Sequence, residues 1–380
     1  MLPESDDFTN TEWHPQSWMH DLRSFIGEMA ITQLCLLGSH DAASYGIRKD
    51  SPFGADAPGF LLGDSVLASL SRFLFRGICA SWSKCQGMSV RAQLDYGVRY
   101  LDLRVATNPE DANRLYTLHH LISVPLADVI EDVKAFLNDP SSANEFIVLD
   151  FQHLYLTDDS DGKGKFFGEL DRLSDRFIPV DVPLTTPLEI LWRVSSRRRI
   201  FLVVGSGEDE SPYPAARIRS KCMVSRWVDQ GSLSKLLEAL DNLLLDDLKY
   251  PQTGVPSKLH VTQAVLTPRY SDIFIGIFPK ISRRIASSIY DMATRVNPSL
   301  LEWFYLLNAK GLLDGMKVMI PSGINTHENI LMLDCVELGR CQIMDGTTET
   351  NAVGMCVYLN ILRASRLFED SSAAPSLNEG

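Results

Sequence analysis

No apolar run in this chain reaches the roughly 18 to 20 residues that a membrane-spanning helix needs. Any meeting with a membrane is therefore expected at its surface. A disulfide framework is also missing: the seven cysteines are odd in number and show no metal-type pairing, which fits reduced thiols. The chain lacks a basic surplus as well. Lys and Arg number 36 against 48 Asp and Glu, giving a formal charge of −12, and cations gather only in short groups such as Arg197-Arg198-Arg199. Neutralising a phosphate backbone takes clustered cations, so no nucleic-acid partner is expected. The opening Met1-Leu2-Pro3-Glu4-Ser5-Asp6-Asp7 is acidic, the reverse of a signal peptide's basic region and apolar core, and reads as an intracellular start. Repeats and low-complexity blocks are absent, which argues against disorder.

What is present is a rhythm. Short aliphatic and β-branched runs alternate with longer helical patterns, as in a parallel sheet covered by helices. Strands are predicted at Ile31–Leu37, Val98–Val105, Leu115–His119, Phe146–Phe151, Ile200–Val204, Leu259–Val265 and Ile330–Leu333. Helices are predicted at Pro125–Leu137, where apolar residues recur every three or four positions, at Ser232–Leu248 and at Pro298–Leu307. Arg48–Pro58 and Asp158–Gly164 read as loops from their Pro, Gly and Asp content. Two stretches suit a membrane surface: Phe60–Cys79, either an interfacial helix or one packed on the barrel, and Ile273–Phe278, followed by Lys280, Arg283 and Arg284.

Ionisable groups stand where several apolar runs stop. Gly38-Ser39-His40-Asp41 ends one; Asp102 and Arg104 lie in the next; Leu118-His119-His120, Asp150-Phe151-Gln152-His153 and Asp334 end others. Chemistry collected at successive strand ends is the habit of a βα barrel. Because these residues run from His40 to Asp334, one catalytic domain is expected: residues 1–25 lead in, 26–368 form the barrel and 369–380 form a polar tail. Cleaving a phosphodiester by an internal hydroxyl needs a base, an acid for the leaving oxygen and a cation for the charge building on phosphorus. The chain offers a candidate for each.

Gly-Ser-His-Asp, Gly97-Val-Arg-Tyr-Leu-Asp-Leu-Arg104, the His119-His120 pair and Phe146-Ile-Val-Leu-Asp-Phe-Gln-His153, in this order, resemble the X domain of the phosphatidylinositol-specific phospholipase C superfamily. Within it the chain looks most like the trypanosomal glycosylphosphatidylinositol-specific branch, through stretches such as Pro15–Met19, Ser51–Gly54, Ile122–Leu126 and Arg199–Val204. The resemblance implies an α/β fold, a single distorted TIM-like barrel. It implies a lyase that cleaves glycosylphosphatidylinositol (GPI) anchors, phosphatidylinositol or both, releasing diacylglycerol and an inositol 1,2-cyclic phosphate. His40 would be the general base, oriented by Asp334. Asp41 would hold the histidine acid, which is His120 on the bacterial pattern and His119 on the trypanosomal one. Arg104, fixed by Asp102, would stabilise charge on phosphorus.

Gln86 of Trp82–Gln86 is a candidate contact near the inositol, and so is Gln152. Relatives carry an arginine after the strand matching Ile200–Val204, where this chain has Gly205; Arg217 or Arg219 is the candidate replacement. Calcium-dependent relatives put acidic groups at positions matching Asp41 and Asp102, and also at those matching Arg104 and Gln152. A guanidinium and a neutral amide there imply no metal, and no cofactor is expected. The implied partners are GPI-anchored proteins or phosphatidylinositol at a membrane surface, approached peripherally from the cytoplasmic side. The alternatives are a calcium-dependent phosphodiesterase and a catalytically silent inositol-lipid-binding barrel.

Overall fold

The computed structural model describes residues 12–62, 66–108, 110–156, 160–205, 213–249, 254–269, 286–310, 312–313, 318–319 and 328–373. Ten strands form its main sheet: β1 (Leu36–Ser39), β2 (Tyr100–Asn108), β3 (Asp111–His119), β4 (Leu121–Pro125), β5 (Ile147–Tyr155), β6 (Ile200–Val204), β7 (Arg217–Ile218), β8 (Met223–Ser225), β9 (Leu259–Gln263) and β12 (Ile330–Leu333). Two small antiparallel pairs, β10 (Leu312–Leu313) with β11 (Val318–Met319) and β13 (Cys341–Ile343) with β14 (Thr348–Thr350), lie outside it.

Eight of the ten strands run parallel in the order β7-β6-β5-β2-β1-β12-β9-β8. The two edge strands, β7 and β8, are joined by the single helical turn Arg219–Cys222, so the sheet curls until its edges are neighbours in sequence. This is the expected distorted βα barrel. β1, β6 and β12 are buried along their whole length, as strands covered on both faces must be, which explains their uninterrupted apolar sequences.

The outer layer follows the predicted periodicity where it is strong. The helix Leu126–Asn138 buries Leu126, Val129, Ile130, Val133, Phe136 and Leu137, and Leu233–Leu248 buries Leu236, Leu240 and Leu244. Elsewhere packing overrides local signals. Ile31–Gln33 is a 3-10 turn rather than the start of a strand, because the side-chain amide of Asn329 donates to the carbonyls of Ile31 and Leu34. Most of the expected Asp158–Gly164 loop belongs to the helix Ser160–Asp171, which buries Phe166 edge-on against Phe151. The helix predicted from Pro298 runs Ile289–Lys310 with Pro298 inside it, and the last helix, Ala352–Ala373, continues past Glu369.

Beneath the barrel a buried ion pair ties the N-terminal turns to the sheet. Arg99 donates from Nε and Nη2 to Glu145 at 3.0 and 2.7 Å and spends its other protons on the carbonyls of Leu94, Val98, Pro15 and Gln16. Glu145 also accepts from the backbone of Met19 and His20. Removing one partner strands a buried charge, so Glu145→Ala is expected to lower unfolding stability by about 3–5 kcal/mol, read from urea denaturation.

No helix among the described residues is long and apolar enough to cross a membrane. The helix Val66–Ser83 ends against the barrel, where Ala80 joins Ile47, Phe53, Ala57, Leu61 and Leu121 in a small apolar cluster. The other membrane-contact stretch, Ile273–Phe278 with Lys280, Arg283 and Arg284, lies outside the described residues, as does the acidic start.

Candidate active site

Register brings the two ends of the chain together. β1 pairs β12 from Leu36↔Ile330 to Ser39↔Leu333, so the next residue on each strand, His40 and Asp334, stand side by side. His40 Nδ1 lies 2.8 Å from Asp334 Oδ1, and His40 Nε2 lies 3.2 Å from Asp41 Oδ2. The mouth of this pair is clamped by Gln86, which donates to the carbonyls of His40 and Leu333 at 3.0 and 2.9 Å and accepts from the Val336 backbone at 3.2 Å. Asn297 adds a donor to the Asp334 carbonyl at 2.9 Å. Gln86 is thus a structural brace, wholly buried, rather than a group facing open space.

On the other side of β1, β2 supplies the cation. Asp102 and Arg104 stand two residues apart on β2, and Arg104 Nε reaches Asp41 Oδ1 at 3.0 Å while Asp102 accepts from the Asp41 backbone at 3.1 Å. Arg104 Nη2 is 3.5 Å from His40 Nε2. β2 pairs β1 only through Tyr100 and Leu101; beyond them its edge is taken by antiparallel β3. That hairpin returns the chain to the mouth and delivers His119, whose Nδ1 is 3.5 Å from Asp41 Oδ2, 2.9 Å from the Ser83 carbonyl and 3.3 Å from Cys85 Sγ. The two histidine rings meet edge-on with centroids 5.8 Å apart.

His120 is set apart. Its ring stacks on His119 at 4.7 Å, but its Nδ1 is 2.9 Å from the Asp56 carbonyl and its side chain is 40% exposed, against 12% for His119. Of the two histidines, the geometry brings only His119 into the cluster. Three residues flanking the site, Asp41, His120 and Cys335, adopt positive φ of 41°, 56° and 45°, a conformation costly for a residue with a β-carbon.

Electrostatics separate the histidines further. Burial pulls the His40 ionisation down, but Asp41 and Asp334 outweigh it and lift the ring to about 9. His119 moves the other way: burial and the nearby His120, Arg104 and His40 hold it well below the usual histidine range. Burial and Asp41 push the Asp102 carboxyl up, against Arg104 and His40. The cluster thus favours the charged form of His40 and the neutral form of His119.

The remaining predicted residues are placed as follows. Gln152 is the extra residue of a bulge, since Leu103 pairs Phe151 and Arg104 pairs His153. A β-carbon on Gly205 would sit 2.1 Å from the Gln152 carbonyl oxygen, so no side chain fits there. Arg217 is turned away from the cluster: it donates to the carbonyls of Ile178, Pro179 and Val182 and covers the Phe201 ring at 5.5 Å. Arg219 is the arginine on the interior, its Nε 2.9 Å from Asp150, which in turn accepts from Tyr100 at 2.7 Å.

Three residues at the site escaped the sequence reading. Cys85 precedes Gln86 and was hidden by it; Asp56 lies in a loop read only as a loop; Trp227, 48% exposed with its ring 6.2 Å from that of His40, follows a strand too short to register. Among the described residues, the sets that could hold a metal fall in this same cluster: His40, Cys85 and Asp334; Asp41, Cys85 and His119; His40, Asp41 and Asp102. Each mixes nitrogen or sulfur with carboxylate, and Arg104 already occupies Asp41, a poor match to the six to eight oxygens calcium takes.

Comparison with known proteins points to one family. The family model described as phosphatidylinositol-specific phospholipase C, X domain, matches residues 79–164, a span holding Gln86, Arg104, His119 and Gln152. The variant-surface-glycoprotein phospholipase C of Trypanosoma cruzi is 90% identical over all 380 residues of both chains. The protein of the same name from Trypanosoma brucei brucei is 45% identical over 94% of this chain and 99% of its own. Among solved structures, the phosphatidylinositol-specific phospholipase C of Listeria monocytogenes superposes with a TM-score of 0.55 at 14% identity, covering 92% of this chain and 99% of that one.

Proposed function

This chain belongs to the phosphatidylinositol-specific phospholipase C X-domain family, and from that premise we propose that it is a metal-independent phospholipase C acting on GPI anchors, phosphatidylinositol or both. The observation that carries the reading is the placement of two histidines and a guanidinium around one carboxylate, Asp41, with the second carboxylate of Asp334 behind His40.

In this reading the inositol 2-hydroxyl takes the place of Asp41 at His40 Nε2 and gives its proton to that nitrogen. The oxygen attacks phosphorus, the bond from phosphorus to the diacylglycerol oxygen breaks, and His119 protonates the leaving oxygen. Atoms and charge balance: one proton leaves the 2-hydroxyl for His40 and another passes from His119 to diacylglycerol, leaving a 1,2-cyclic phosphate. Asp334 holds the His40 tautomer and stabilises its charged form. Arg104 meets the charge building on the phosphoryl oxygens, the service that a calcium ion would otherwise perform.

The resting proton placement is the reverse of the one this chemistry uses, and the substrate supplies the correction. An arriving phosphodiester brings a negative charge beside His119, which favours its imidazolium. Displacing Asp41 from His40 Nε2 removes one of the two carboxylates that hold the His40 proton. Arg219 and Trp227 flank the same mouth, and they suit an inositol ring: a guanidinium for its hydroxyls and an aromatic face for its C–H edge. Contact with the membrane is peripheral in this reading.

The test is phosphorus NMR of the protein with phosphatidylinositol in mixed micelles and EGTA present. A five-membered cyclic phosphate resonance is expected to appear first. A signal seen only after calcium is added would overturn metal independence; no signal with phosphatidylinositol but release from a GPI-anchored substrate would narrow the substrate to GPI.

A further inference from the structure

Beside His119 the backbone turns a corner that nothing in the reaction explains. His120 holds φ at 56°, a strained value for a residue with a β-carbon, and every polar group of the corner is tied to one short segment. The His120 N–H donates to both carboxylate oxygens of Asp56, each at 3.0 Å; its carbonyl accepts from the Gly54 N–H at 2.9 Å; its ring nitrogen meets the Asp56 carbonyl oxygen at 2.9 Å. The Asp56 side chain is only 6% exposed. The segment is itself anchored to β4, since the Ile122 N–H donates to the Pro52 carbonyl at 2.8 Å and Phe53 bridges Leu121. It also presses on β3: a β-carbon on Gly54 would lie 2.7 Å from the Leu118 side chain.

We propose that Asp56 is a positioning residue for the acid histidine: its buried carboxylate locks the left-handed corner at His120, which aims the His119 ring at Asp41, and its charge favours the imidazolium that the leaving oxygen requires. The proposal rests on the reading of His119 as the acid. The groups facing His119 are Asp41 and His40 from the end of β1, Arg104 from β2, Cys85 and the Ser83 carbonyl from the segment after the helix, and His120 with Asp56 from the corner. Asp41 already answers to His40 and Arg104. Asp56 lies 3.9 Å from His120 Nδ1, and its field reaches both His119 and Arg104.

The experiment is the pH profile of kcat/KM for Asp56→Asn, Asp56→Ala and the double variant Asp56→Ala/His120→Gly, with His119→Gln as reference and thermal melting of each. Asp56→Asn keeps a backbone acceptor but loses the charge; the acidic limb of its profile, which the lower ionisation of His119 sets, is expected about one unit lower, with the alkaline limb of His40 in place. Asp56→Ala loses the lock too and is expected to fall about tenfold further. Glycine adopts a left-handed corner without help, so His120→Gly is expected to restore most of that second loss. An unmoved acidic limb in Asp56→Asn, or an Asp56→Ala loss that follows the melting temperature and that His120→Gly leaves unrepaired, overturns the proposal alone. Wild-type rates in His119→Gln would remove the acid assignment, and the proposal with it.

Discussion

His40→Gln is expected to cut kcat by about 10³ to 10⁴, the loss that follows removal of a positioned base, while the melting curve keeps a single native transition. Glutamine is near in volume and can still donate to Asp334, so the barrel mouth keeps its shape. The pH dependence of the unaltered protein makes the same point. Burial lowers the His40 ionisation, Asp41 and Asp334 raise it to about 9, and the free base exists above that value. Because the reaction needs His40 free and His119 charged, and the free protein orders their ionisations the other way, kcat/KM should run level above the low His119 ionisation and fall as pH rises through about 9. Asp334→Asn removes one of the two carboxylates, so the alkaline fall should begin at lower pH, which a buffer series in mixed micelles will show. The sign for stability is opposite. A raised histidine contributes stability in full below its unfolded value of about 6.5 and loses it as pH rises through about 9. Denaturation midpoints should fall over that window in the wild type and much less in His40→Gln.

Arg104→Ala is expected to lower kcat/KM by about 10³, because a fixed cation aimed at developing charge is among the larger contributions to such a barrier. It also leaves Asp41 and Asp102 buried without their cation, which should destabilise the fold by several kcal/mol and push the Asp102 carboxyl, which Arg104 now counteracts, further up. Arg104→Lys separates the two effects. An ammonium can neutralise Asp41, so unfolding stability should largely return, but it lacks the fork that spans Asp41 and a phosphoryl oxygen together, so activity should not. Equal recovery of stability and rate in Arg104→Lys would show that charge alone suffices, against the role proposed for the guanidinium.

Much of the site was readable because the motif residues sit at strand ends. His40 and Asp334 close β1 and β12, Asp102 and Arg104 lie in β2, and each of these runs is apolar enough to declare itself a buried strand. The choice between His119 and His120 was not readable. It depends on β3 being antiparallel and on a loop-to-corner bond from Asp56, sixty-four residues away in sequence, neither of which leaves a periodic trace. Gln86 was found by its pattern but misjudged in place, since its amide spans two strand ends rather than open space. Arg217 opens a strand only two residues long and Arg219 begins the helical turn that follows it, too short a run for alternation to say which points inward.

From residue order alone follow the chemistry available and the layers that carry it: histidines, carboxylates and a guanidinium after apolar runs, with amphipathic stretches such as Leu126–Asn138 between them. These are local properties, set by side-chain type and by spacing of two or of three to four. Tertiary structure decided the rest. The Ser39↔Leu333 register makes partners of His40 and Asp334 across 294 positions, the β2–β3 hairpin places His119 on Asp41, and the surroundings divide two chemically identical imidazoles, Asp41 and Asp334 lifting His40 against burial while burial lowers His119. Register and desolvation belong to the assembled barrel, because each depends on what the neighbouring strand brings and not on the residue itself.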